Sequence, residues 1–339
     1  MQIRENVQLS SLTTMRLGGP ADFVVDVISA EDCPEAFDFA RDKHLPVYFL
    51  GFGANTIGLD TGFRGVVLRN HIMGLKILTE TPTELTVKVG GGVAWDDFVA
   101  WTAEKGFSGI ELLSKIPGSV AAAPVQNIGA YGAEVASTIK TIEVYDTLLD
   151  EYVEFSAKQC NFAYRHSIFN SGETKGRYFI LNVTFKLSRT QLQPPFYTSL
   201  QAYLDNHGIK DYSPQNLRSA VSAVRAAKLP DPAKEASAGS FFKNIYVDYQ
   251  EAARLKSLGL TLRKDQNGKY KVNVAEVLDL AGLKGQTFHG FQISAQAPLV
   301  LINRSATSSQ DLTLAVSEIS QLVQTKFGLT LEQEPEVIQ

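Results

Sequence analysis

The spacing of apolar residues along this chain alternates between the period of a strand and the period of a helix. A period of two, or a short apolar run, predicts a strand, since successive side chains of a strand face opposite sides. The predicted strands cover residues 22–28, 47–50, 65–69, 84–89, 139–145, 152–155, 177–187 and 298–303. Apolar residues three or four positions apart predict helices over residues 34–43, 94–105, 213–228, 248–258, 274–281 and 308–327, with a short polar helix over 156–159. Strands interleaved with short helices predict an α+β fold.

Local signals mark the ends of several predicted elements. Ser213 followed by Pro214 is typical of an N-cap and a first helical residue. Gly282 and Gly328 follow the last apolar positions of two helices, where glycine commonly ends a helix. The first 20 residues, ending in T-T-M-R-L-G-G-P, are predicted to form a turn-rich entry to the first strand.

The character of the chain changes after residue 190. The segment Q-L-Q-P-P-F-Y, residues 191–197, contains two prolines, which cannot lie in a central strand. A length of 339 residues also exceeds that of one average domain. We therefore predict a boundary near residue 200, between a first region of residues 1–200 and a second region of residues 201–339.

Composition narrows the classes of function. With 44% hydrophobic and 20% charged residues and a formal charge of −4, the chain gives no reason to expect nucleic-acid binding. No apolar run approaches about 18 residues and the N-terminus lacks an apolar signal region, so we expect a cytoplasmic protein without membrane insertion. Cys33 and Cys160 are predicted to be free thiols, and the five histidines lack metal-type spacing, so no metal site is expected.

Residues 109–134 carry the strongest sequence signal, with four glycines, two prolines and a run of small residues from 119 to 123. Glycine lets the backbone approach a ligand closely. Pro117 followed by Gly118 and Ser119 predicts a loop that leads into a short helix, whose free N–H groups favour a phosphate. A tightly packed turn without a ligand is the alternative.

A second glycine-rich segment, G-F-G-A-N at residues 51–55, lies between two predicted strands. Such a loop can hold a phosphate on its backbone amides. A plain β-turn fits the same pattern.

The run I-P-G-S-V-A-A-A-P-V-Q-N-I-G-A-Y-G, residues 116–132, closely resembles the flavin-binding signature of the UDP-N-acetylenolpyruvoylglucosamine reductase (MurB) family. The run A-G-S-F-F-K-N, residues 238–244, resembles the proton-donor loop of that family, and further matches follow in family order from residue 13 to residue 336. The resemblance to its type I members implies a PCMH-type FAD-binding region of two α/β subdomains, divided near residue 70. It also implies a C-terminal α+β substrate-binding domain in the second region.

By this resemblance, FAD binds non-covalently to the first region. The implied flavin contacts are Gly51, Gly53, Ala54, Asn55, Ile116, Pro117, Gly118, Ser119, Asn127, Gly129 and Gly132. Ala54 stands where the family carries a serine, which removes one hydroxyl donor and leaves the backbone amides as the main phosphate contacts.

The resemblance also implies catalytic roles for an arginine and a serine. Arg165, in Y-R-H-S, matches the arginine that holds the substrate carboxylate and stabilises enolate charge. Ser240 matches the serine that protonates the substrate carbon. His166 replaces an acidic residue often found beside that arginine. From the residues alone, an arginine such as Arg165 is usually a surface ion-pair partner, and a serine such as Ser240 is more often a turn or cap residue than a catalyst.

The third implied catalytic residue is a glutamate of the tail L-E-Q-E-P-E, residues 331–336. Glu332, Glu334 and Glu336 alternate, so the periodicity of an extended strand does not choose among them. Matching the family's P-E-V text selects Glu336 but needs a two-residue insertion, whereas an ungapped count from Phe327 selects Glu334. Glu334 also precedes a proline, which favours extended backbone, and Glu336 lies near a terminus that is expected to fray. We therefore predict Glu334, with a solvated acidic tail as the alternative.

The implied substrate contacts are Tyr164, Tyr197, Lys228, Lys243 and Asn244. Tyr197 matches a tyrosine of type I members that closes over the substrate. Lys228 lies in V-R-A-A-K-L-P-D-P, which resembles the family's R-x-x-K-L-P motif and makes it a diphosphate ligand. A lysine at the C-terminus of a helix also needs no ligand, because the helix dipole favours it there.

The implied activity is the NADPH-dependent reduction of UDP-N-acetylglucosamine enolpyruvate to UDP-N-acetylmuramate on FAD, by a monomer that serves peptidoglycan precursor synthesis. Two other functions fit parts of the pattern: an oxidase that tethers its flavin through a histidine, and a non-catalytic module that binds nucleotide sugars. No histidine lies within residues 51–55 or 109–134, which leaves His71 and His166 as the conceivable tethers. Binding alone would not need Arg165, Ser240 and an acidic tail together.

Overall fold

The computed structural model of the protein describes residues 1–264 and 268–338. Within these ranges the helices are α1 (Cys33–Asp42), α2 (Trp95–Glu104), α3 (Thr198–Asn206), α4 (Pro214–Ala226), α5 (Tyr249–Ser257), α6 (Val274–Leu280) and α7 (Ser309–Phe327). The strands up to residue 188 are β1 (Gln2–Gln8), β2 (Pro20–Val27), β3 (Val47–Leu50), β4 (Thr56–Gly58), β5 (Phe63–Asn70), β6 (Leu75–Glu80), β7 (Glu84–Gly90), β8 (Gly129–Ala130), β9 (Ala133–Glu134), β10 (Ile139–Asp146), β11 (Glu151–Ser156) and β12 (Tyr178–Ser188). The later strands are β13 (Ala236–Ser240), β14 (Ile245–Val247), β15 (Arg263–Lys264), β16 (Tyr270–Val272), β17 (Thr287–Phe288), β18 (Phe291–Ile293), β19 (Val300–Asn303) and β20 (Glu336–Ile338).

The α+β fold is confirmed. The strands and the six longer helices predicted from the apolar pattern are present with ends that differ by at most about two residues, and the short polar helix predicted over 156–159 is a 3-10 helix at Ala157–Cys160. The end signals act largely as expected. Gly328 ends α7 in the left-handed conformation, with φ +67°. Ser213 occupies the N-cap position of α4, but its hydroxyl donates to Asp211 Oδ2 at 3.2 Å and makes no bond to the helix.

The predicted elements leave out helix α3 and the strands β1, β4, β6, β8, β9, β13–β18 and β20. Residues 2–8 form β1, although the first 20 residues are predicted to be turns. The sequence of β1 is mostly polar and exposed, so its strand conformation comes from pairing within the sheet and not from an apolar pattern. Helix α3 follows the proline-containing segment and lies outside the predicted helices. It buries only Leu200 and Leu204, and two apolar positions are too few for the helical period to be recognised in the sequence.

The chain folds into two compact units. The first unit comprises Met1–Asn6, Ala21–Phe52 and Arg64–Ala227, and the second unit comprises Val7–Pro20, Gly53–Phe63 and the residues from Lys228 onward.

The first unit contains two larger sheets, each packed on a helix. The sheet β1-β2-β5-β3 packs on α1, with Val25 and Phe37 in its core. The antiparallel sheet β11-β10-β12-β7-β6 packs on α2 through Trp95 and Phe98, so these side chains belong to the core. A smaller apolar cluster joins α3 and α4 to Leu112, which lies in the glycine-rich stretch. This cluster therefore fixes that stretch against the two helices.

The second unit is built on the sheet β13-β19-β18-β17. Its core contains buried side chains from this sheet and from α5, α6 and α7, including Phe241, Phe242 and Phe327. At the end of the described chain, β20 pairs with β4 in parallel, and Glu336 lies opposite Thr56. Residues 336–338 are thus held by a strand pair.

Candidate functional site

In the first unit, the start of α2 holds the loop of residues 116–119. Trp95 N donates to Gly118 O at 3.0 Å, and Val120 N donates to Val93 O at 2.9 Å. Residues 120–127 form successive turns, so the short helix predicted after this loop is wrong. Pro124 lacks an N–H group and interrupts helical bonding, which explains why the small residues do not continue as a helix.

Glycine residues leave open space along this stretch. A Cβ atom added to Gly118 or Gly132 would have no heavy atom within 4 Å. A Cβ atom on Gly51 would instead lie 3.3 Å from Ser119 Oγ and 3.3 Å from Ala122 Cβ. Gly51 thus packs closely against the loop, while Gly118 and Gly132 border free volume. Small side chains and open space are what a flat ring system needs, so these residues fit a flavin.

Asn127 is buried, and the protein itself engages its side chain. Asn127 Nδ2 donates to Glu134 Oε2 at 2.9 Å and to Ala163 O at 3.1 Å, and Oδ1 accepts from Ala136 N at 3.1 Å. Both amide hydrogens of the side chain are thus used within the protein, and Oδ1 already accepts one hydrogen bond. Its side chain connects the glycine-rich stretch to the segment that precedes Arg165.

Arg165 lies beside the glycine-rich stretch in the same unit. Arg165 Nη2 donates to Gly129 O at 3.4 Å, and the guanidinium carbon lies 5.3 Å from the centre of the Tyr164 ring. The backbone of Arg165 is left-handed, with φ +53°. Such a conformation costs about 1–3 kcal/mol for a residue other than glycine and is often found at functional sites.

Two polar side chains hold the turn that carries Arg165. Ser167 Oγ donates to Val125 O at 2.5 Å. Asn170 Nδ2 donates to Arg165 O at 3.1 Å, and Asn170 Oδ1 accepts from Ser167 N at 3.0 Å. Asn170 lies outside the recognised motifs. Ser167 is part of Y-R-H-S, but only the fold reveals that it joins this turn to the glycine-rich stretch.

Tyr197 lies against the glycine-rich stretch, although the sequence separates the two. Its ring meets the ring of Tyr131 edge to face, with centroids 5.9 Å apart. A cavity of about 400 Å³ adjoins both rings and is lined by Leu112, Tyr131, Gly132, Leu192, Gln193, Pro195, Phe196 and Tyr197. Burial raises the pKa of Tyr131, although the neighbouring Arg225 opposes this shift.

In the second unit, Gly53 and Thr14 connect the loop of residues 53–55 to β13. Thr14 N donates to Gly53 O at 3.0 Å, and Thr14 Oγ1 donates to Ser237 O at 2.6 Å. Gly53 is left-handed, with φ +65°, and a Cβ atom there would lie 2.0 Å from Leu12 O. Only glycine fits this position without movement of the backbone.

We therefore expect Gly53→Ala to destabilise the protein more than the same change at Gly172. Gly172 has a similar φ of +61°, but a Cβ atom there would meet nothing within 4 Å. The backbone cost of about 1–2 kcal/mol is common to both variants, so the difference reports the clash with Leu12 O. Chemical denaturation of both variants measures the two free energies of unfolding. Equal losses would mean that the Leu12 backbone moves away at no cost.

Ser240 ends β13 just after a bulge. Ser237 pairs with Ile302 and Ser240 with Val300, and the register shifts between the two pairs. Gly239 lies in this bulge with φ +70°. A bulge of this kind re-aims the next side chain, and the buried side chains of residues 241–242 then anchor the chain in the core. Ser240 is half-buried.

The acidic tail lies between this bulge and the loop of residues 53–55. Glu334 N donates to Phe241 O at 2.8 Å, and Asn55 Nδ2 donates to Glu334 O at 3.4 Å. Glu336 N donates to Asn55 O at 3.0 Å. The second unit therefore brings together three segments that the sequence separates: the loop containing Asn55, the Ser240 bulge and the tail.

The predicted substrate residues of the second unit differ in their surroundings. Lys243 N donates to Glu332 O at 2.9 Å, and Lys243 Nζ pairs with the Glu332 carboxylate. Asn244 Oδ1 accepts from Val274 N, the first residue of α6, at 3.1 Å. Lys228 is exposed. Lys243 and Asn244 thus have structural contacts of their own.

Within residues 1–264 and 268–338, no group of three His, Cys, Asp or Glu side chains could hold a metal ion. No helix in that part of the chain is long and apolar enough to cross a membrane. Cys33 and Cys160 are buried free thiols, as predicted, and burial raises the pKa of each to about 12.

Comparison with known proteins gives matches over both ends of the chain. A family model described as an FAD binding domain matches residues 21–150, and a model described as the C-terminal domain of UDP-N-acetylenolpyruvoylglucosamine reductase matches residues 231–338. The chain is 35% identical to the UDP-N-acetylenolpyruvoylglucosamine reductase of Bdellovibrio bacteriovorus over 99% of both chains. It is 36% identical to that of Ralstonia nicotianae over 96% of both chains.

A solved structure supports the same fold. The crystal structure of the MurB reductase from Thermus caldophilus matches with a TM-score of 0.70, covering 100% of both chains at 22% identity. At this identity the match shows a shared fold, whereas the full-length relatives above 30% identity show the family. The chain belongs to the FAD-dependent UDP-N-acetylenolpyruvoylglucosamine reductase (MurB) family.

Proposed function

We propose that the protein reduces UDP-N-acetylglucosamine enolpyruvate to UDP-N-acetylmuramate, with NADPH as the reductant. The observation that carries the proposal is the match over 99% of both chains to a relative named for the reductase activity. The proposal includes a cytoplasmic monomer that serves cell-wall precursor synthesis. It also assigns FAD binding to residues 1–200 and substrate binding to residues 201–339.

Held by the loops of residues 51–55 and 116–132, FAD would supply the hydride-transfer chemistry between NADPH and C3 of the enolpyruvyl group. In our proposal, Arg165 holds the substrate carboxylate and stabilises the negative charge that develops as the hydride adds. Ser240 then donates its hydroxyl proton to the adjacent carbon, C2, and Glu334 assists at the same centre. Hydride at C3 and a proton at C2 together saturate the double bond and give the lactyl ether.

Anaerobic flavin spectroscopy on the purified holoenzyme tests this function. NADPH should bleach the flavin, and UDP-N-acetylglucosamine enolpyruvate should restore its colour and form a product that is heavier by two hydrogens. UDP-N-acetylglucosamine, which lacks the enolpyruvyl group, is the matched control and should leave the flavin bleached. Bleaching without recovery on the enolpyruvyl substrate would reject the substrate assignment.

Two further observations separate the alternative functions. Denaturation should release the flavin into solution, whereas an oxidase with a tethered flavin would keep it on the protein. A colourless protein that still binds UDP-sugars would instead support a non-catalytic module. Gel filtration of the holoenzyme tests the proposed monomer.

We expect Tyr197→Phe to weaken substrate handling without changing the flavin content. Phenylalanine keeps the ring that packs on Tyr131 but removes the hydroxyl, and a hydrogen bond to a charged group is worth about 1.5–3 kcal/mol. Steady-state kinetics should therefore show a roughly tenfold or larger fall in kcat/KM. Tyr152→Phe is a matched control, because Tyr152 is equally exposed and donates only to Ala30 O. Wild-type kinetics in Tyr197→Phe would remove Tyr197 from the site.

A further inference from the structure

Lys115 immediately precedes the loop of residues 116–119 and is held at three points. Its N–H donates to Asp96 Oδ1 at 2.6 Å, and its Nζ lies 3.0 Å from Asp96 Oδ2. Its carbonyl oxygen accepts from Arg225 Nη2 at 3.2 Å. The backbone of Lys115 is left-handed, with φ +61°, which is unfavourable for a residue other than glycine. These contacts therefore hold a strained conformation at the entrance to the loop.

Asp96 is fixed in turn by a second helix. Arg218, on α4, donates from Nη1 to Asp96 Oδ1 at 2.6 Å and from Nη2 to Asp96 Oδ2 at 3.0 Å. Asp96 lies in the first turn of α2, and both side chains are largely buried, with 22% and 18% exposed. Two parallel bonds of this kind give a fixed geometry as well as attraction.

Ionisation of Asp96 is favoured in this arrangement. Burial alone would raise the pKa of the carboxyl group, but the bonds from Arg218 and Lys115 together hold it well below its usual range. A carboxyl group with a lowered pKa contributes stability above the pKa of its unfolded state and loses it only in more acidic solution. The ion pairs are therefore present throughout the neutral range.

The residue before Asp96 bonds the chain on both sides of Lys115. Trp95 Nε1 donates to Leu113 O at 2.9 Å, and Trp95 N donates to Gly118 O at 3.0 Å. The start of α2 thus contacts the chain before the strained residue, at it and after it. A change at Lys115 would consequently change the direction in which the loop leaves.

We propose that Asp96, Lys115 and Arg218 form a clamp that positions the loop of residues 116–119 for FAD, with Asp96 as the positioning residue. We call these three residues the Asp96 clamp. The inference rests on the proposed assignment of this loop to the flavin. Its physical basis is that the clamp holds the left-handed conformation of Lys115 before the cofactor binds, so binding does not have to impose it.

Titration of the apoprotein with FAD tests the clamp without turnover. Asp96→Ala should raise the dissociation constant for FAD at least about tenfold, which corresponds to about 1.4 kcal/mol. Asp146→Ala is the matched control. Asp146 is also buried and bonded twice by one arginine, with Arg177 Nε at 2.8 Å and Nη2 at 2.6 Å, but it does not contact the loop. It should lower thermal stability and leave the FAD dissociation constant within about twofold.

A glycine rescue separates positioning from general stability. Lys115→Gly in the Asp96→Ala background should bring the FAD dissociation constant back to within about threefold of wild type, because glycine adopts positive φ without strain. It should not restore the thermal stability lost with the Arg218 ion pair. Unchanged FAD affinity in Asp96→Ala, or no rescue by glycine, overturns the proposal.

Arg218→Met provides a second variant if Asp96→Ala does not fold. Methionine has about the volume of the aliphatic part of arginine, and Asp96 stays bonded to Lys115 in this variant. The loss of FAD affinity should therefore be smaller than in Asp96→Ala, about threefold to tenfold. Affinity equal to wild type in this variant counts against the clamp. These results are independent of the proposed reduction, because an apoprotein that binds FAD normally can still fail to reduce the enolpyruvyl substrate.

Discussion

Ser240→Ala should separate the two half-reactions of the enzyme. NADPH should bleach the flavin at a near-normal rate, whereas reoxidation by UDP-N-acetylglucosamine enolpyruvate should slow by roughly two to four powers of ten. This is the usual scale for the loss of a general acid. The reason is that the proposed role of Ser240 concerns only the proton that reaches the substrate carbon. Stopped-flow absorbance under anaerobic conditions measures both rates on the same preparation.

The backbone around the bulge at Gly239 does not depend on the Ser240 hydroxyl, so Ser240→Ala tests the hydroxyl alone. The backbone of residues 238–242 is held by main-chain bonds and by the buried side chains of Phe241 and Phe242, none of which needs the Ser240 hydroxyl. Ser237→Ala, on the same strand, is the control, because Thr14 bonds its carbonyl oxygen and not its side chain. It should leave both half-reactions near wild type. A folded, flavin-loaded Ser240→Ala protein that loses both half-reactions equally would give Ser240 a structural role.

Local patterns predict most of the secondary structure of this chain because the information lies within a few residues. Helix α7 is an example: its apolar stripe and its terminal Gly328 are local in sequence, and both act as expected. Where the apolar pattern predicts the wrong element, the conformation is set by another local residue, such as a proline, or by pairing with a distant segment. The small residues after Ser119 favour a helix, but Pro124 leaves only turns.

The residues of the candidate site are also of two kinds, those in contiguous motifs and those that only the fold brings together. The glycine-rich loops and the segments that contain Arg165 and Ser240 are each contiguous in sequence, so the resemblance to the family identifies them as candidates. Their supports join distant residues: Asp96 bonds Arg218 across 122 positions, and Thr14 bonds Ser237 across 223 positions. No periodicity encodes such pairs, because only the completed fold brings them together.

The end of the chain illustrates how a distant strand changes a local expectation. A terminus without partners is expected to fray, which disfavours Glu336 as a positioned residue. In the structure, Glu336 begins β20, which pairs with β4, and the side chain of Ile338 is buried. The fraying expectation is therefore wrong. The choice of Glu334 then depends on the ungapped count and on its contacts.

Those contacts still favour Glu334 over its neighbours. Glu334 N bonds Phe241 O, one residue beyond Ser240, whereas Glu336 N bonds Asn55 O. Glu332 is largely exposed and pairs with Lys243. Pro335 forms a bend between Glu334 and Glu336, so the simple alternation of an extended strand is interrupted there.

We expect Glu334→Gln to lower turnover by roughly two to four powers of ten while FAD stays bound, and Glu336→Gln to change it by less than about threefold. Glutamine keeps the size of each side chain, so the comparison tests the carboxylate and not the packing. Holoenzyme turnover and the flavin spectrum of both variants give the two readouts. Loss of turnover in Glu336→Gln alone would mean that the tail carries a two-residue insertion relative to the family and that Glu336 holds the catalytic carboxylate. If both variants lose little activity, neither glutamate is catalytic, because a catalytic carboxylate cannot be replaced by an amide without a loss of rate.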